Sequence, residues 1–317
     1  MMAVLTSQEN NTAVDIAIFV KSYAPDFPNL KRLLNSCAKF NNEKFPIYIC
    51  VPDEEIEQLR SLEGICDFTA VPESFFKVDF PNEKIHGRSL GYLRQQIVKL
   101  SVHHLGVAAN YMILDSDAVM IRPFGRSDFL SESGTPYTVL VEDLDQFTAP
   151  WYRMYADRRR EFLVSIAKRF ELSTDHLRTC HGNVLFSAKV LANFEAWCEH
   201  EGLTPSKLME IGPYEFSWYN FFLQSKMPET VIPIEPFVRY LHVKNEYRFL
   251  RYQGITINDL ARSYVGICLN SNWAHGNVDS YLRRLTRTSI AYKVSKIRNL
   301  TERVVNGVVR RLKLSRG

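Results

Sequence analysis

Tyr111-Met112-Ile113-Leu114-Asp115-Ser116-Asp117 decides how this chain is read. An apolar run ends in two carboxylates at i and i+2. In an extended segment, residues two apart point to the same side, so both Asp side chains can reach one divalent cation. Hard cations take oxygen ligands and bridge phosphates. A buried strand ending in such a pair reads as a metal–diphosphate site at the carboxyl edge of an α/β sheet, the edge where ligands bind in open sheets. A second pair, Asp143-Leu144-Asp145, lies downstream. Either pair alone is also compatible with a solvated turn or a helix cap; what surrounds the first pair sets it apart.

Upstream, Asp15-Ile16-Ala17-Ile18-Phe19-Val20 reads as a buried strand. Pro28 opens a helix whose apolar face is Leu30, Leu33, Leu34, Cys37 and Ala38. Ile47-Tyr48-Ile49-Cys50-Val51 is the next strand, and Pro52-Asp53-Glu54-Glu55 opens another helix with acids in its first turn. A short strand over 67–71, a helix over 90–105, the Asp-bearing strand and a strand over 136–141 follow. This β-α-β-α-β-α-β series implies a doubly wound, mostly parallel sheet. The second half is less regular, with helices expected over 151–170, 189–201 and 215–224 and strands over 184–186 and 231–234. The expected organisation is a flexible N-terminus over 1–13, a body over 14–275 and a C-terminal helical extension over 276–317.

Composition suits a globular protein with a sizeable core, with 46% hydrophobic and 23% charged residues over 317 positions. Net charge is +4, yet residues 281–317 carry eleven Lys/Arg and one Glu, a net +10 that leaves −6 for the rest. A mildly acidic body argues against nucleic acid as a partner, and a basic amphipathic tail suits an anionic membrane surface. Leu285, Ile290, Val294, Ile297, Val304, Val308 and Leu312 fall near one stripe of that tail. The six Cys form no CxxC pair, so reduced buried thiols are expected and no structural zinc site is indicated. With no signal peptide or membrane span in view, the expected location is the cytoplasm, with the tail allowing peripheral contact with the inner face of the cytoplasmic membrane. The first glycine is Gly64. No Gly-rich loop can therefore follow the first strand, which removes the dinucleotide fingerprint and the P-loop from their usual place.

The order of these parts resembles bacterial glycosyltransferases of the GT-A type, closest to a large, mostly uncharacterised family that carries a DXD motif. The matching pieces are Ile18-Phe19-Val20-Lys21-Ser22-Tyr23, Gly91-Tyr92-Leu93-Arg94-Gln95-Gln96-Ile97-Val98-Lys99-Leu100, the Asp115-Ser116-Asp117 strand, His181-Gly182-Asn183-Val184-Leu185-Phe186 and Glu215-Phe216-Ser217-Trp218-Tyr219-Asn220. The similarity spans roughly residues 14–250. It implies a GT-A-like, Rossmann-type fold, a nucleotide-sugar donor with UDP as the first base to try, and Mn²⁺ or Mg²⁺. On that basis Asp115 and Asp117 hold the metal, with His242 as a third ligand. Lys21, Ser22, Tyr23, Asp53, Arg94, Gln95, Lys99, Ser116 and Lys244 contact the donor. Glu215 and Asp143 are the candidate catalytic carboxylates for an inverting reaction. Trp151, Tyr152, His181, Asn183 and Tyr219 form the expected acceptor site, where sugar faces would stack on rings. The acceptor class implied is a glycan or lipid-linked glycan in bacterial cell-surface polysaccharide or lipopolysaccharide assembly. Two readings compete: a metal-dependent phosphohydrolase or phosphotransferase, and a glycan-binding scaffold without turnover.

Overall fold

A computed structural model describes residues 2–5, 14–142, 153–180, 182–274, 276–290, 292–294, 296–297 and 301. The first half runs β1 (Ala3–Val4), β2 (Val14–Lys21), α1 (Phe27–Phe40), β3 (Ile47–Val51), β4 (Thr69–Pro72), α2 (Leu90–Leu100) and β5 (Ala108–Asp115). Then come β6 (Ala118–Met120), β7 (Tyr137–Val139), β8 (Val141–Glu142), α3 (Arg153–Arg169), β9 (Arg178–Thr179), β10 (Val184–Ser187), α4 (Ala188–His200), α5 (Pro205–Ile211) and α6 (Glu215–Lys226). The C-terminal part holds β11 (Ile232–Ile234), β12 (Val238–Leu241), α7 (Lys244–Gln253), α8 (Ile257–Leu260), β13 (Gly266–Leu269), α9 (Ser271–Ala274) and α10 (Val278–Leu285).

The central sheet has the order β1-β4-β3-β2-β5-β10, parallel throughout except β10, which runs antiparallel to β5. It is the doubly wound, mostly parallel α/β sheet expected. Ile16 to Val20 are fully buried, as strands covered on both faces by helices must be. Leu30, Leu33, Leu34 and Cys37 of α1 are buried at helical spacing. Ala38 is exposed, and Ser36 is buried in its stead: its hydroxyl accepts from the Met120 N–H at 2.9 Å and so ties α1 to β6.

Three local expectations are corrected. The segment after Pro52 is a 3₁₀ helix, Asp53–Leu62, not an α-helix. The helix from Leu90 stops at Leu100, where the Ser101 hydroxyl donates to the Ile97 carbonyl at 3.0 Å and the chain tightens into a 3₁₀ turn, Val102–Leu105. The strand expected over 136–141 is not in the central sheet, because β10 already occupies the free edge of β5. Its two halves pair elsewhere, β7 with β11 and β8 with β9.

A second, three-stranded sheet, β12-β13-β6, forms in the C-terminal part. Its own apolar cluster includes Leu241, Tyr247, Leu250, Ile267 and Leu269 and takes in Val278, Tyr281 and Leu285 of α10. The start of the basic tail is thus packed on protein. Beyond it, Ile290, Val294 and Ile297 are 80%, 59% and 65% exposed. Among the described residues no helix is long and apolar enough to cross a membrane.

Candidate active site

The register of the parallel strands lines up one row of polar residues at their carboxyl ends. Lys21 pairs in register with Asp115 on one side and with Cys50 on the other. Glu73 follows directly after β4. Asp115 is the last residue of β5 and Ala118 the first of β6. Because β6 belongs to the second sheet, the Asp115-Ser116-Asp117 turn is the seam between the two sheets, and each acid is anchored in a different one.

Asp115 is anchored in the central sheet. Its N–H donates to Asn183 Oδ1 at 2.9 Å, and Asn183 sits at the mouth of β10 in the left-handed region with φ 64. Lys99 Nζ, on α2, donates to Asp115 Oδ1 at 2.8 Å and to Glu215 Oε1 at 3.0 Å. With its amide nitrogen facing the carboxylate, Gln96 also donates to Glu215. Lys99 and Glu215 are both 2% exposed. Burial alone would discharge Lys99, but the two carboxylates more than reverse that and raise its pKa. Burial raises the Glu215 pKa, with Lys99 opposing the shift. Gly182 lies against the other oxygen: a Cβ there would sit 2.4 Å from Asp115 Oδ2.

Asp117 is anchored in the second sheet by neutral donors. The Cys268 thiol of β13 donates to Oδ1 at 2.9 Å, and the Ser271 N–H donates to Oδ2 at 2.8 Å. Burial, then the charge of Asp115, push the Asp117 carboxyl up to about 6. The same two acids and Cys268 help hold Tyr240 in its neutral form, after burial. The His242 ring packs on Tyr240 with centroids 4.2 Å apart; among the described residues His242 and the two acids do not form a group at metal-ligand spacing. The turn itself is fixed by Ser116, whose hydroxyl donates to Asp26 Oδ2 at 2.9 Å.

The other expected residues divide. Lys21 is buried and paired with Glu73 at 2.8 Å, while Arg94 reaches the same carboxylate at 3.4 Å and covers the Phe80 ring. Ser22 Oγ is buried without a partner. Tyr23 is 49% exposed at this edge. Asp53 accepts from the Ser74 N–H at 3.0 Å. Gln95 is half-buried beside the inward-facing Gln96. Lys244 starts α7 and lies over the Tyr281 ring at 5.9 Å, in the C-terminal cluster. Tyr219, expected at the acceptor site, is instead a core residue: its hydroxyl accepts from the Ser187 N–H at 2.9 Å and its ring stacks on Phe186. Trp218 is fully buried and its indole N–H donates to the Gly212 carbonyl. Asp143, Trp151, Tyr152 and His181 lie outside the described residues.

Several site residues were not foreseen. Gln96 could have been found, since it precedes Lys99 by three and shares its helix face. Glu73 follows a foreseen strand. Cys268, Ser271 and Tyr240 carried no signal, because neither β12 nor β13 was anticipated.

The residues suit a divalent cation. The charge of Asp115 lies close enough to disfavour that of Asp117, and each oxygen retains lone-pair capacity beyond the hydrogen bonds it accepts. Beside them Asn183 Nδ2 and Ser22 Oγ are buried polar atoms with no protein partner, the kind of group that a bound ligand or water satisfies.

The sequence profile of a family of unknown function (DUF6492) matches residues 11–152. No curated protein sequence matches the chain. Among solved structures, the galactosyltransferase LgtC in complex with donor and acceptor sugar analogs aligns with 86% of this chain and 97% of its own, at 11% identity and a TM-score of 0.49. An active-site mutant of LgtC aligns with 84% and 94%, at 12% identity and a TM-score of 0.47. Core-mannan synthase A of Aspergillus fumigatus, in its Mn/GDP form, aligns with 73% and 74%, at 10% identity and a TM-score of 0.45. These neighbours are glycosyltransferases; at such identities neither their residues nor their substrates transfer to this chain.

Proposed function

We propose that the protein is a metal-dependent glycosyltransferase that moves a sugar from a nucleotide-sugar donor to a glycan or lipid-linked acceptor. The observation that carries this reading is the Asp115/Asp117 pair at the carboxyl edge of the parallel strands, where burial and the neighbouring Asp115 charge raise the Asp117 pKa and so its need for a cation. Asp115, Asp117 and, from the end of β12 in the second sheet, His242 would hold Mn²⁺ or Mg²⁺. Such an ion, when bound, stabilises the charge that grows on a diphosphate leaving group.

The chain's own residues then have distinct parts. Lys99 holds Asp115 in one rotamer, and Glu215 with Gln96 holds Lys99. In this role Glu215 is a positioning residue; its buried carboxylate is engaged by Lys99 rather than turned to an acceptor hydroxyl. Ser116 keeps the turn closed against Asp26. Lys21, Ser22, Tyr23, Asp53 and Arg94 border the same strand ends, where the donor nucleotide would lie, with the exposed Tyr23 ring as its stacking face. Asn183 fixes the Asp115 backbone with its amide oxygen and offers its unpartnered Nδ2 to the sugar.

The reading extends to organisation. Residues 14–275 would form the transferase unit and 276–317 a tail that rests on an anionic membrane surface, as suits a lipid-linked acceptor of cell-surface polysaccharide assembly at the inner face of the cytoplasmic membrane. Ile290, Val294 and Ile297 of the tail are exposed, as are Phe249 and Tyr252 on α7 of the body, whose Arg251 reaches the Arg284 and Arg287 carbonyls of the tail; Arg248, Arg283, Arg284, Arg287 and Lys293 add positive charge to the same two segments. Exposed rings and aliphatics set among cations are what the headgroup region favours. Phe249→Ser with Tyr252→Ser should reduce salt-sensitive binding to phosphatidylserine vesicles without unfolding the protein.

The direct test of the reaction is release of nucleoside diphosphate from a panel of nucleotide sugars in the presence of Mn²⁺. Turnover of one donor, abolished by EDTA and by Asp115→Asn, is the expected result. Binding of a glycan with no donor turnover or nucleotide binding would replace the enzyme by the scaffold reading.

A further inference from the structure

We propose that His103, His104 and Glu195 form a second divalent-metal site, of the zinc type, at the opposite end of β5 from the aspartate pair. The two histidines lie in the 3₁₀ turn Val102–Leu105 that feeds β5, and Glu195 lies on α4. His103 Nε2 is 2.9 Å from Glu195 Oε2, and His104 Nε2 is 2.9 Å from both Glu195 oxygens. The ring centroids are 4.3 Å apart. One ligand atom from each of the three residues falls within 4.8 Å of the others.

Consecutive residues in a 3₁₀ turn leave the axis roughly 120° apart. Convergence of both imidazoles on one carboxylate therefore needs both side chains to turn back toward α4. Zinc takes imidazole nitrogen at about 2.0–2.1 Å and carboxylate oxygen at about 2.0–2.2 Å. Ligand atoms around such an ion stand roughly 3.0–3.5 Å from one another, from the same bond lengths and a tetrahedral angle. The His–Glu195 contacts at 2.9 Å are near that spacing, and all three ligand atoms lie within 4.8 Å of one another. The Glu195 side chain is 42% exposed, so an ion can reach the site from solvent. The buried Nδ1 of His103 has the Leu100 carbonyl beside it, short of full hydrogen-bond geometry; an outer acceptor of this kind orients a ligating imidazole.

The donor sets at the two ends of β5 differ in kind. Two imidazoles and one carboxylate favour zinc or its borderline neighbours, whereas paired carboxylates favour Mg²⁺ and Mn²⁺. Three protein ligands leave a fourth position for water. The site is remote from the Asp115 edge, so its role is to clamp α4 to the entrance of the strand that carries the acids. An ion that binds only the folded chain stabilises it by mass action. None of this rests on the transferase reading.

The test titrates the full chain with Co²⁺ and with Zn²⁺ alone, in an Asp115→Asn, Asp117→Asn background that removes the acidic pair as a competing site. Cobalt uptake is read by its visible absorption and zinc by the shift in thermal unfolding midpoint. The expected result is one equivalent of cobalt with a visible band, a zinc-induced rise in midpoint reversed by EDTA, and at least a tenfold loss of affinity in His104→Ala and in Glu195→Gln. Both replaced side chains are partly exposed, and near-ultraviolet circular dichroism checks that the variants fold. Absence of cobalt uptake by the background protein, or uptake unchanged in both variants, would overturn the proposal; the histidines would then be hydrogen-bond donors to Glu195 only.

Discussion

The two halves of the acidic turn are held by opposite means. Asp115, in the central sheet, is neutralised by a buried charge, Lys99, which is shared with Glu215. Asp117, in the C-terminal sheet, accepts from a thiol and a backbone N–H, and among the described residues no cationic side chain pairs with it. One acid is compensated before any ligand arrives and the other is not, as its elevated pKa records. An incoming cation therefore gains most from Asp117, while Asp115 supplies a position fixed in advance.

The largest effect expected from this contrast is on stability. Lys99→Met would leave Asp115 and Glu215 buried without their cation, and loss of one partner of a buried ion pair costs about 3–5 kcal/mol. Denaturant unfolding should show it, and a cost under about 1 kcal/mol would mean that the charge network is not what seats Asp115. A pH series sharpens the other side. The folded-state pKa of Asp117 is raised from 3.8 to about 6, so its ionised form is disfavoured by folding. Stability from this group is fully present below the unfolded value, is lost as pH rises between about 4 and 6, and stays low above that, by roughly 2–3 kcal/mol. Asp117→Asn should flatten this segment of the stability curve, and an unchanged slope would place the penalty elsewhere.

Smaller effects separate binding from folding. Gly182→Ala brings a methyl within 2.4 Å of Asp115 Oδ2 without the strain of a left-handed backbone. It should cost about 1–2 kcal/mol of stability and displace the carboxylate, weakening metal-dependent nucleotide binding at least tenfold. Binding at wild-type affinity would show that Oδ2 is not needed. Cys268→Ser keeps a donor on Asp117 and should change stability by under about 1 kcal/mol. A large loss there would make the second sheet the more exacting anchor.

How far the sequence revealed this arrangement follows the same division. The central sheet was legible because its strands, such as Ile16–Val20 and Tyr111–Leu114, are continuous apolar runs separated by amphipathic helices. Asp115 and Asp117 were legible because they end one of those runs. The second sheet was not: β12 and β13 are four residues each, Val238-Arg239-Tyr240-Leu241 and Gly266-Ile267-Cys268-Leu269, too short for either to stand out. Its partners for Asp117 come from residues about 150 positions away, a separation that local periodicity does not carry. The Lys99 pairing was half legible. A basic residue on the preceding helix was expected to face a phosphate, and in the structure it faces Asp115 and Glu215. The His103–His104 turn was expected as the end of a helix, so its convergence on Glu195 stayed hidden until the helix was seen to stop at Leu100.

On the proposed reading, the seam between the two sheets holds a metal and a nucleotide together. The most direct measurement is thermal unfolding of the wild type, Asp115→Asn and Asp117→Asn with UDP, GDP, CMP or dTDP, each with Mn²⁺, Mg²⁺ or EDTA. A ligand of the folded state raises the midpoint by mass action. The expected result is a rise for one nucleotide in the wild type, abolished by EDTA and absent in both variants although each folds. A rise that survives EDTA, or persists in both variants, would contradict it.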